Sequence, residues 1–200
     1  MMSKHGVESR NQLAFIALED LVPKDHLVRK IEKTIDFSFI YELVKDLYST
    51  TGKASVDPVV LIKISIIQYV FGIKSMRQTI AEIETNIAYR WFIGYGFDES
   101  IPHFSTFGKN YSRRFEGTKI FDTIFNKILF QALELGFIDP ATVFIDGTHI
   151  KASANKNKRE KVLIKEETRS FKHQLEEEIN EERKAHGQKP LKKKMKPKKS

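Results

Sequence analysis

The chain has 200 residues and a mass of 23.2 kDa, the size of one ordinary domain or a small pair, and roughly 70% of the unfolded surface is buriable at that length. It contains no cysteine, which excludes thiol nucleophiles, cysteine-ligated zinc and disulfide scaffolds and fits a reducing, cytoplasmic setting. The formal charge of +8 is unevenly placed: residues 151–200 hold 17 Lys and Arg against 8 Asp and Glu, whereas residues 1–150 hold 17 against 18. A balanced body is followed by a lysine-rich tail.

The opening MMSKHGVESRNQ has no apolar stretch, so no secretory signal is expected. The most apolar run, PVVLIKISIIQYVFGI, is interrupted by Lys63 and falls short of the ~20 residues of a spanning helix. It reads as a buried core helix, and no membrane partner is expected.

The body reads as a succession of helices. Asp25 is placed to cap one with Leu27, Val28, Ile31 and Ile35 on a common face. A second starts at Asp36 or Ser38, where Phe39/Ile40, Leu43/Val44 and Leu47/Tyr48 repeat every four residues, and Gly52 breaks it. Asp57-Pro58 is an N-cap with proline in the first turn, and the helix it opens closes at Gly72. Ser75 caps the next, through Met76, Ile80 and Ile83, and NIAYRWFI forms another that ends at Gly94. Within it, Trp91 and Phe92 are expected in the core.

GYGFDESIPH is the longest clear loop of the body. Ser105 or Thr106 caps a helix carrying Phe107, Tyr111 and Phe115, and beyond Gly117 a long amphipathic helix runs to Gly136. The pattern then changes. Asp139-Pro140 makes a turn, and ATVFIDGTHIKASA has the β-branched and aromatic content of a strand. From Lys156 a charged helix follows, with Ile164, Phe171, Leu175 and Ile179 as a thin apolar stripe and its glutamates read as solvated faces with i,i+4 partners. The last 14 residues carry 7 Lys and no acid, a composition that predicts a disordered end.

One carboxylate stands out as a catalytic candidate. Asp146 ends the apolar run VFI, where a strand would hold it rigidly enough to bind Mg²⁺. Two-metal phosphoryl transfer requires several converging carboxylates, and Asp146-Gly147 is also a favoured hairpin dipeptide, so both readings stand. FIDGT resembles the aspartate phosphatases' Asp-x-Asp-Gly-Thr, but Phe144 occupies the nucleophile position and that reading fails. On a continued strand His149 points to the face opposite Asp146.

Two segments have the make-up of DNA-reading elements. The helix over 58–71, the turn at 72–74 and the helix opening SMRQT have the proportions of a helix-turn-helix, with Arg77 and Gln78 near the start of the second helix. In STFGKNYSRRF, Lys109, Asn110, Arg113 and Arg114 are further candidates for phosphate or base contacts. The alternative is an ordinary helical bundle with solvated polar faces, which the near-neutral body favours equally.

Together LVPKDHLVRKI, ASVDPVVLIKISIIQYVFGIKSMRQ, NIAYRWFIGYG, PHFSTF and VFIDGTHIKASANK, in this order over residues 15–158, resemble the N-terminal part of a bacterial insertion-sequence transposase of the DDE type. The resemblance implies a mainly α chain in three parts: a helical DNA-binding domain over 1–137 with a helix-turn-helix-like unit, the first strand of an incomplete ribonuclease-H-like α/β domain over 138–155, and a charged helix with a basic tail over 156–200. It implies that Asp146 is the first catalytic carboxylate and a ligand of Mg²⁺ or Mn²⁺, and that the second Asp and the Glu are not among these residues. The expectation is therefore a truncated enzyme, either a broken copy or the first of two reading frames, that does not bind metal productively and is inactive alone. A regulatory DNA-binding module and a nonfunctional remnant are the alternatives. The partners implied are element-end DNA and a second copy, of itself or of an intact transposase, at the nucleoid.

Overall fold

A computed structural model describes residues 13–49, 51, 55–136 and 156–191, with side chains from residue 168 onward in the last stretch. All the regular structure among the described residues is helical. The expected strand over 138–155, with Phe144, Asp146 and His149, lies outside them, as does the break at Gly52.

The centre of the body is α4, Pro58–Val70. It starts where Asp57 accepts the Val59 amide at 2.7 Å, with Pro58 preset for the first turn. It ends at Gly72, whose φ of 62° is left-handed. Leu61, Ile62, Ile64 and Ile67 are almost wholly buried, so α4 is enclosed on all sides and its polar residues need partners. Lys63 finds Glu32 at 2.6 Å and lies 5.0 Å from the rings of both Phe37 and Phe92. Ser65 donates back to the Leu61 carbonyl at 3.2 Å.

On α4 pack α3 (Phe39–Val44), α5 (Met76–Thr85) and α6 (Ile87–Ile93); α2 (Leu27–Thr34) lies against α6 and α8 (Ile120–Glu134), α8 also against α3, and a short α1 (Leu18–Leu21) against α6. Predicted boundaries hold at both kinds of end: Ser75 starts α5 by accepting the Gln78 amide at 3.2 Å, and Gly94 (φ 78°) closes α6. Two caps differ. His26, not Asp25, starts α2 by accepting the Val28 amide at 3.2 Å, and His103, not Ser105 or Thr106, starts α7 (Phe104–Asn110) by accepting the Ser105 amide at 3.3 Å. An imidazole Nδ1 is the acceptor in both, a role usually given to Ser, Thr, Asp or Asn.

After α7 the chain widens into one π-type turn over Tyr111–Phe115, closed by the Glu116 amide on the Tyr111 carbonyl at 2.9 Å. Phe107, Tyr111 and Phe115 are all buried, as their spacing predicts. Phe92 is core, whereas Trp91 is half-buried, with Arg29 stacked 4.5 Å from its ring and its indole N–H donated to Glu19. The loop after Gly94 is held by buried Arg90, whose guanidinium donates to the carbonyls of Gly96, Phe97 (3.0 Å) and Glu99 (2.6 Å).

The largest departure from expectation is α9, Lys156–Ala185. Its stripe of Phe171, Leu175 and Ile179 is buried in the common core, and an aromatic file runs from Tyr69 through Phe171 and Phe125 to Phe121. Polar links fasten it further: Lys172 to Asp122 at 2.9 Å, Thr168 to Asn126 at 2.9 Å, and Tyr111 to Glu176 at 2.8 Å. The glutamates are therefore not uniformly solvated. Glu176 and Glu178 face the body, because they adjoin the stripe, while Glu177 keeps an exposed i,i+4 pairing with His173 at 3.4 Å.

Candidate nucleic-acid interface

The turn at Gly72 aims the start of α5 toward α9. Arg77 is exposed and lies 4.4 Å from the ring of Phe104 on α7, and Gln78 is exposed with its amide donated to Glu82 at 2.9 Å. Facing them, Glu178 accepts the Met76 amide at 2.7 Å and the Gln68 side-chain amide at 2.9 Å. A carboxylate is well placed at a helix N-terminus, where free N–H groups and the helix dipole attract negative charge. Burial nonetheless pushes the Glu178 carboxyl above the usual carboxylate range, against the opposing pull of those two hydrogen bonds. The cleft between α5, α7 and α9, about 290 Å³, is lined by Arg77 and Phe104 on one side and by Glu178, Glu181 and Glu182 on the other.

The second sequence-predicted group divides in two. Lys109 and Arg113 are exposed. Asn110 is buried, its amide donating to the Thr106 carbonyl at 2.8 Å and its oxygen accepting from Arg114. Arg114 stacks 4.2 Å from the ring of Tyr48 and donates to the Leu47 carbonyl at 3.3 Å. Asn110 and Arg114 are thus engaged inside the protein, because at the end of α7 and in the turn after it their side chains lie on the inward side.

Beside Lys109 a smaller cleft of about 110 Å³ is lined by Ser105, Gly108, Lys109, Glu182, Arg183 and His186. A Cβ built at Gly108 would meet Glu182 at 3.6 Å and Ile179 at 3.7 Å, which measures how closely α7 approaches α9. Arg183 donates to Ser112 at 3.4 Å and to the Lys189 carbonyl at 2.7 Å. Sequence reasoning missed Glu178 and Arg183. The signal for Glu178 was present, since it stands seven residues after Phe171 and three after Leu175, on the edge of the stripe.

Asp146 lies outside the described residues, and among these no group of three His, Asp or Glu is arranged to hold a metal ion. No helix among them is long and apolar enough to cross a membrane.

The helical body is that of a transposase-related protein. Residues 16–113, from just before α1 into the turn after α7, match the family described as Transposase domain (DUF772). The match leaves α8 and α9 outside it. No curated protein and no solved structure matches the chain.

Proposed function

We propose that these 200 residues bind DNA as the end-recognising part of an insertion-sequence transposase of the DDE type. The observation that carries this is the transposase-domain match over residues 16–113. Exposed cations within the matched residues, Lys109 and Arg113, support it, since phosphate contacts by Lys and Arg supply most of the affinity and orientation of DNA-binding proteins.

In this reading Asp146 is the first catalytic carboxylate. Asp146 would be one of the carboxylates that hold a Mg²⁺ or Mn²⁺, which would supply Lewis-acid activation of a phosphodiester once the remaining carboxylates are provided. What these residues themselves contribute is binding and orientation of the DNA end, and the setting is the nucleoid. The test is a mobility shift with duplexes from the flanking element ends and unrelated duplexes of equal length, over a salt series. Salt-sensitive binding with a preference for the element ends is expected, without strand cleavage on adding Mg²⁺. Failure to bind any duplex, or Mg²⁺-dependent nicking by this chain, overturns the reading.

A further inference from the structure

Two clefts open side by side along α9, and the charges lining them have opposite balance. At the start of α5 one cation, Arg77, faces Glu178, Glu181 and Glu182. The Met76 amide that a helix start offers to a phosphate is taken by Glu178, and the Gln78 amide by Ser75. Gln78 is itself held by Glu82. A DNA phosphate approaching this edge meets three carboxylates and few free donors.

At α7 the balance reverses. Lys109 and Arg183 line the neighbouring cleft with Glu182 as its single carboxylate, and exposed Arg113 follows Ser112, which Arg183 touches. The chain then folds back on α9, where Leu191 donates its amide to Asn180 at 2.7 Å, and the lysine run from Lys192 begins at the next residue.

Resting on the DNA-binding reading above, we propose that the duplex backbone is gripped by α7 and the C-terminal turns of α9, through Lys109, Arg113 and Arg183, and that α5 is not the reading helix. The acidic turns of α9 close the start of α5 from within. The basic turns of the same helix extend the cationic face of α7 toward the lysine tail. The helix-turn-helix proportions of α4 and α5 then serve packing, and DNA lies on the face one helix further along.

The test uses the full chain and fluorescein-labelled element-end duplexes, followed by anisotropy at salt from about 50 to 300 mM. K109Q/R113Q is expected to weaken binding about tenfold and to lower the slope of log affinity against log salt by about 2. R77Q/Q78A is expected to stay within about twofold of wild type, a difference near the spread of ordinary surface substitutions. R183Q is expected to weaken binding and R183K to restore it, which separates the charge from the internal hydrogen bonds; matching far-UV melting curves establish that each variant is folded. Loss of binding in R77Q/Q78A with K109Q/R113Q unchanged overturns this proposal while the DNA-binding reading survives. A wild-type chain that binds no duplex overturns both.

Discussion

Glu178 illustrates how one side chain serves two opposed requirements. It satisfies a helix-start amide and a buried glutamine, yet it does so from a half-buried position that disfavours its charge. Its folded-state affinity for a proton is therefore higher than in the unfolded chain. The stability tied to this group is fully present below the ordinary carboxylate range and is lost as pH rises through the raised folded value. The unfolding free energy of wild type minus that of E178Q should accordingly fall as pH is raised from about 4 to 7. Urea titrations at a series of pH values measure it, and a rising difference would show that the hydrogen bonds outweigh the burial. Tyr111 is a simpler case: burial, with its hydrogen bond to Glu176, raises its phenol well above the usual range, so it stays a donor at any physiological pH. At this scale the sequence was only partly legible. The roles of Asp57, Ser75 and Gly72 follow from local rules, because a cap and its amide lie within three residues of one another. The partner of Met76 lies 102 residues away, and no local rule reaches it.

Among the elements, α9 is the one whose nature changes most between sequence and structure. Its composition is that of a solvated helix, since only about one residue in four along the helix is apolar. Three such residues are nevertheless enough to lock it, because each is large and meets an aromatic or aliphatic surface left open by α4, α7 and α8. Leu175 is fully buried, so Leu175→Ala should lower the stability of the whole chain by about 3 kcal/mol in a single cooperative transition. Equilibrium unfolding followed by tyrosine fluorescence and far-UV circular dichroism tests it. If α9 were independent, helical signal alone would be lost and the body's transition would not move. The helices flanking α4 were legible because their apolar spacing is dense and their boundaries carry glycine or capping residues. The histidine caps and the π-type turn were not, since neither leaves a distinctive pattern in residue type.

For the molecule as a whole, charge is organised by position rather than by amount. The near-neutral body carries its cations singly, and several are spent internally: Lys63 between two phenylalanines, Arg90 on a loop, Arg114 over Tyr48. Of those that remain outward, Lys109 and Arg113 lie in and just after α7 near Arg183 of α9, ahead of the lysine run, while Lys24, Lys30, Lys33, Lys45, Lys74 and Lys127 are exposed elsewhere on the body. Deleting residues 192–200, which leaves the Leu191 anchor intact, should weaken binding to unrelated duplexes and flatten its salt dependence, as anisotropy across a salt series would record. Unchanged affinity would reduce the tail to a solubilising end.

The hydrogen bonds from Met76 and Gln68 to Glu178 also carry a message about order in time. A ribosome adding about 5–20 residues per second takes roughly 5–20 s to make the hundred residues between these partners. Late in that interval the residues of α1 to α7 have all been made while Glu178 has not, so the Met76 amide at the start of α5 lacks the partner that it has in the folded chain. Synthesis thus passes through a stage in which α9 has not yet claimed this donor, and that stage ends when Glu178 arrives.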